Sequence, residues 1–177
     1  MSKRMLATVT GRDRPGIVEE VTQVLVRYGA NLEESRMARL GGEFAGIMKF
    51  AVPERRASRL GADLRGLRKK GIEVVLRPIR GEALRRRAGY LPHQVEVIGA
   101  DHEGIVHGVA ASLAEMGVNI EELSTDVVPA PVTGAPLFSM RAVVEVPASL
   151  GTARLREQLD RLASLQGVDI SVRLITG

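Results

Sequence analysis

Two short stretches, GRDRPG at 11–16 and GADHEG at 99–104, set charged residues immediately ahead of an apolar rhythm with helical spacing. The start of a helix presents several backbone N–H donors that nothing inside the helix can satisfy, and it carries roughly half a unit of positive charge. A small carboxylate binds well in such a place. If the ligand also carries an amine, Asp13 or Asn31 beside the same pocket supplies the acceptor, and the combination describes an amino-acid site. A purely structural reading explains the same residues: Asp13 and Asp101 cap the helices, Pro15 presets the first turn, and Gly16 lets the helix approach the sheet.

Other chemistries find little support. The three histidines are His93, His102 and His107, and the last two are five residues apart, about 140° out of register on a helix. With no cysteine in the chain, no thiol nucleophile, disulfide or thiolate metal site is available. Ser35 and Ser139 fall in strand patterns without an identifiable base. Glu33-Glu34 and Glu121-Glu122 are neighbours in strands, expected to point to opposite faces rather than to pair as acid and base. Neither GRDRPG nor the Gly41-Gly42 turn matches a phosphate-binding loop. We therefore expect no catalytic residue, no metal and no cofactor.

The elements that position the two turns are read from a repeat. Residues 7–35 align without gaps on 95–123, with twelve identities: Val9, Gly11, Asp13, Gly16, Ile17, Val18, Val21, Leu25, Gly29, Asn31, Glu33 and Glu34 recur 88 positions later. Each copy shows a short apolar run ending in Gly, read as a strand entering a tight turn. A helix stopped by Gly29 or Gly117 follows, then two strands, a second helix and a last strand. In the first copy Phe44, Met48, Phe50 and Val52 share one strand face. Phe138, Met140, Ala142, Val144 and Val146 do so in the second, where the hairpin turn has grown into PAPVTGAP, 129–136. The order β-α-β-β-α-β, taken twice, predicts an α+β protein of two ferredoxin-like domains. Each is a four-stranded antiparallel sheet with two helices on one face, leaving Ile47 and Val143 on the other. The expected boundaries are 1–80, a basic linker at 81–92, and 93–177.

The D-R-P-G-I-V stretch opening a helix, the G-x-N at its end and the βαββαβ order together resemble the ACT domain, a regulatory module that typically senses amino acids. The strand pair NLEESRMARLGGEFAGIM resembles more particularly the tandem-ACT glycine cleavage system transcriptional repressor family. The resemblance implies a non-enzymatic, amino-acid-responsive regulator that represses glycine cleavage genes indirectly, through a protein partner such as a transcriptional activator. It also implies ligand contacts at Arg12, Asp13, Arg14, Gly16 and Asn31 in one copy, and at Asp101, His102, Gly104 and Asn119 in the other. A small amino acid such as glycine is the implied ligand. The alternative is a metabolite-sensing regulatory subunit of an amino-acid or one-carbon enzyme.

Charge is distributed unevenly. Residues 1–80 hold 17 Lys or Arg against 9 acids, 81–92 hold 3 against 1, and 93–177 hold 5 against 11, which accounts for the net +4. The basic excess gathers in the second helix and in Arg85, Arg86 and Arg87. Aromatics are only 3% of the chain and none lies among these arginines to stack on a base, so no specific nucleic-acid partner is expected. No apolar run reaches the ~18 residues of a membrane span. A cytoplasmic location without membrane attachment is therefore expected, and the exposed strand edges leave room for a homodimer.

Overall fold

The computed structural model describes residues 1–79 and 88–176. The chain divides into two compact units, Met1–Ala83 and Leu84–Gly177. The first contains β1 (Ser2–Arg12), α1 (Ile17–Arg27), β2 (Asn31–Leu40), β3 (Glu43–Pro53), α2 (Glu54–Gly66) and β4 (Ile72–Pro78), with a 3-10 turn at Leu67–Lys70 before β4. The second contains β5 (Tyr90–Ala100), α3 (Ile105–Glu115), β6 (Asn119–Pro129), β7 (Pro136–Pro147), α4 (Gly151–Gln166) and β8 (Val168–Leu174). Sheet order is β2-β3-β1-β4 in one and β6-β7-β5-β8 in the other, every pair antiparallel. This is the twofold βαββαβ architecture expected from the periodicities.

Alternation builds each core. In the first unit Ala7, Val9, Met48, Phe50, Val52, Ile72 and Val74 point to one face of the sheet, where they meet Ile17, Val21, Val24 and Leu25 of α1 and Leu60 and Leu64 of α2. The opposite face carries Ile47, 47% exposed, between Thr8 and Arg36 of the flanking strands. The second unit repeats the scheme with Val95, Val97, Phe138, Met140, Ala142, Val144 and Val146 under α3 and α4. The first helix of each unit ends alike. The N–H groups of Gly29 and Ala30 donate to the carbonyls of Val26 and Leu25, and those of Gly117 and Val118 to Ala114 and Leu113. This pattern satisfies carbonyls at the helix end and reverses the chain into β2 or β6.

Several expectations need correction. Tyr90–Pro92, assigned to the linker by sequence, already pair with β7, while residues 80–87 with the three linker arginines lie outside the described residues. Gly11 and Gly99 do not sit in a turn but inside β1 and β5. A Cβ on Gly11 would lie 2.6 Å from the Gly71 carbonyl oxygen, and one on Gly99 would lie 2.7 Å from Val168 Cγ1, so glycine there admits the close pass of the last strand. The register also shifts between Leu32 and Glu34, and again between Ile120 and Glu122. The bulge brings Glu33 and Glu34 to the same helix-free face. Glu33 pairs there with Arg4 at 3.3 Å and Lys49 at 3.6 Å, and Glu34 with Arg36 at 3.6 Å.

Candidate functional site

Asp13 does not cap α1. The N-cap position is Gly16, with φ 93° and no side-chain cap, and its counterpart before α3 is Gly104 with φ 92°. Pro15 therefore stands outside the helix. Nor is Gly16 needed for close packing, because a Cβ there would meet nothing nearer than 3.9 Å. Its backbone conformation is the reason for glycine. Gly16→Ala is accordingly expected to lower stability by about 1–2 kcal/mol through backbone strain alone, measured by urea denaturation. A neutral result would show that the turn adopts another conformation.

The remaining turn residues are held by specific partners. Asp13 N–H donates to the Gly42 carbonyl at 2.9 Å, and its carboxylate stands 3.6 Å from Arg39. Arg14 donates to Glu20 Oε1 at 2.7 Å through Nη1 and to the Lys70 carbonyl at 3.2 Å through Nη2. Lys70 Nζ is 3.1 Å from Glu20 Oε2, as an ion pair without hydrogen-bond alignment. The hydrogen bond from Arg14 chiefly, and Lys70 next, hold the Glu20 carboxyl below its ordinary range, and the same bond raises Arg14. Stability from this cluster is thus present above the ordinary glutamate range and lost as pH falls through the lowered value. Arg12 is exposed.

In the second unit Asp101 N–H donates to the Pro136 carbonyl at 3.2 Å. His102 occupies the position of Arg14. Its Nδ1 lies 3.0 Å from the Glu103 carbonyl and its Nε2 lies 2.9 Å from the Gln166 carbonyl.

Asn31 and Asn119 are not beside the turns of their own domains. Asn31 pairs with Ala51, whereas Arg12 pairs with Glu43 at the other end of β3. At ~3.3 Å per residue the two positions are about 26 Å apart along the strand. The same holds for Asn119, opposite Glu145, and Ala100, opposite Leu137. Within a single domain the turn residues are brought together and the asparagine is excluded from them. Sequence spacing does not reveal this, because α1 carries the chain back along the sheet before β2 begins.

Surface hollows of about 600, 370 and 490 Å³ were found, the second on the helix-free face of the second sheet, among Glu96, Ile98, Ser124, Asp126, Ser139 and Arg141. None of the three includes a residue of either turn. The feature at the turns that suits a ligand is the helix start itself, with its backbone donors and, in the first domain, the adjacent Arg12 and Asp13. On α2 and the following 3-10 turn, part of the basic surface is engaged internally. Arg56 donates to the Tyr28 carbonyl, Arg68 pairs with Glu73 and Lys70 with Glu20, while Arg55, Arg59, Arg65 and Lys69 are exposed. Among the described residues no group of three or more His, Asp or Glu side chains is arranged to hold a metal ion, and no helix is long and apolar enough to cross a membrane.

Comparison with known proteins agrees with this architecture. The ACT domain family matches twice, at residues 3–76 and 92–173. The glycine cleavage system transcriptional repressor of Escherichia coli (strain K12) is 27% identical over 173 residues, covering 97% of this chain and 90% of that protein. A UPF0237 protein of Methanopyrus kandleri is 39% identical over 80 residues, covering 45% of this chain and 82% of its own. Among solved structures, a protein of unknown function from Galdieria sulphuraria is 32% identical and superposes with a TM-score of 0.88, over 99% of this chain and 100% of the other. With both halves matched and the sheet order repeated in each, the chain belongs to the ACT-domain family, as a tandem of two such domains.

Proposed function

We propose that the chain is a non-enzymatic, amino-acid-responsive regulator that represses glycine cleavage genes indirectly, by engaging a protein partner. The observation that carries this reading is the 27% identity to a glycine cleavage system repressor, sustained across 97% of this chain and 90% of that one, so that it spans both domains. The helix starts behind Gly16 and Gly104 supply the carboxylate-binding half of an amino-acid site. Asp13 and Asp101 supply the acceptor for its amine. In this reading the ligand is glycine or a similarly small amino acid, and the partner is a transcriptional activator rather than DNA.

The test is a capture experiment from the native cytoplasm with the tagged full chain, run with and without millimolar glycine. Recovery of one transcription factor in a glycine-dependent manner is the expected result. Recovery of a biosynthetic enzyme instead would move the output from transcription to catalysis. Tight binding of the isolated protein to a single operator sequence at physiological salt would overturn the partner-mediated mechanism.

A further inference from the structure

Arg14 and His102 occupy matching positions in the two copies, and they perform the same task with different chemistry. Arg14 Nη2 donates to the carbonyl of Lys70, the last residue of the 3-10 turn, and His102 Nε2 lies 2.9 Å from the carbonyl of Gln166, the last residue of α4. Gly71, with φ 78°, and Gly167, with φ 64°, follow those residues as left-handed caps. In each domain, then, a side chain from the turn before the first helix closes over the negative end of the second helical segment, where carbonyls lack helical partners.

A guanidinium remains charged throughout the physiological range, whereas an imidazole does not. The contacts of His102 are both carbonyl oxygens, Glu103 at 3.0 Å and Gln166 at 2.9 Å. A carbonyl only accepts, so both bonds exist together only when both ring nitrogens carry hydrogen, as in the imidazolium. The neutral ring has a single N–H. It must give up one of the two bonds and turn a lone pair toward an oxygen.

We propose that His102 is a proton-operated latch: when protonated it ties the β5–α3 turn to the end of α4, and when deprotonated it releases that turn, while Arg14 keeps the equivalent turn of the first domain closed throughout the physiological range.

The surroundings agree on the direction. The Glu103 carbonyl first and the Gln166 carbonyl second raise His102 above its ordinary value of 6.5; desolvation opposes them, and the Asp101 carboxylate adds the smallest contribution, in the raising direction. Asp101, on its own turn, is the charged group that acts on the ring. Glu103 contributes its carbonyl, α4 contributes the carbonyl of Gln166, and among the described residues no titratable group of α3 or β8 acts on it. Because the folded value is raised, the latch contributes fully below the unfolded value near 6.5 and is lost as pH rises through the folded one. The release therefore falls above the ordinary histidine value. When His102 lets go, what still joins the turn to α4 is a longer bond, from the Gln166 amide to the Gly104 carbonyl at 3.4 Å. Gly108 makes room for that amide, since a Cβ there would run into it. The latch operates with no ligand at the turn.

The experiment is a pH titration of the full chain by NMR, following the His102 ring resonances and the exchange protection of amides 103–105 and 167. The wild-type ring should titrate above the same residue in the urea-unfolded chain, and protection of those amides should fall severalfold as pH rises through that midpoint. His102→Arg should hold protection level across the window, and His102→Gln should leave it low throughout. A native midpoint at or below the unfolded one overturns the latch. So does a wild-type protection profile that His102→Arg reproduces unchanged.

Discussion

Glycine at 100 times its dissociation constant should raise the melting temperature of the wild-type chain by roughly 5 to 11 °C, provided the domains melt together. The figure follows from the ~2.7 kcal/mol by which a single saturated site stabilises the folded state. A ligand of so few heavy atoms gains at most ~1.5 kcal/mol from each, or ~7.5 kcal/mol in all, so its dissociation constant is no tighter than several micromolar. The titration should therefore extend into the millimolar range. Asp13→Ala is a cleaner probe than the sequence suggests. Because Gly16 rather than Asp13 is the N-cap, the ~1 kcal/mol usually lost with a capping side chain is not at stake, and the ligand-free protein should change by no more than about 0.5 kcal/mol. Loss of the shift in Asp13→Ala but not in Asn31→Ala places the ligand at the turn. Loss in both means that the ligand's hold is not confined to the turn. If neither glycine, serine nor another amino acid shifts the wild type, the turns are structural and the chain acts as an interaction scaffold.

Phe50→Ala should cost ~3–5 kcal/mol, the usual price of a large cavity in a packed core. Phe50 is fully buried on the helix-covered face of β3, beside Met48 and Val52 and beneath α1 and α2. A domain of this size holds only ~4–12 kcal/mol at ~0.05–0.15 kcal/mol per residue, so the loss takes much or all of its stability. Ile47→Ala, three residues earlier on the same strand but on the opposite face, should stay within about 0.5 kcal/mol. Urea unfolding monitored by circular dichroism reads both variants. Equal losses would mean that the helix-free face is packed against something as firmly as the core.

Period-two alternation in EFAGIMKFAV and helical spacing in IVEEVTQVLVRYG were enough to place strands, helices and the buried face, because burial on one side is what those patterns record. The details of the turn were not legible in the same way. Asp-x-Pro-Gly ahead of a helix reads as a side-chain cap, and only the positive φ of Gly16 shows that the chain enters α1 through a left-handed residue. The distance between Asp13 and Asn31 depends on strand register, which sequence proximity across a helix does not convey. The common job of Arg14 and His102 was equally hidden. Their acceptors, Lys70 and Gln166, lie 56 and 64 residues further along and are backbone atoms, which leave no mark on residue identity.

The two register shifts, at Leu32/Glu34 and Ile120/Glu122, fall at the same place in each copy, whereas the hairpin tips beyond them differ, residues 41–42 in one and 130–135 in the other. Adding or deleting one residue before the shift would turn the rest of the strand over, exchanging core for solvent. Lengthening a tip costs only a slowly growing loop entropy. The hairpin is therefore rigid toward insertion at its root and elastic at its tip. For protein engineering, a fluorophore or affinity tag belongs at 41–42 or 130–135, where the added chain leaves the register of both sheets untouched.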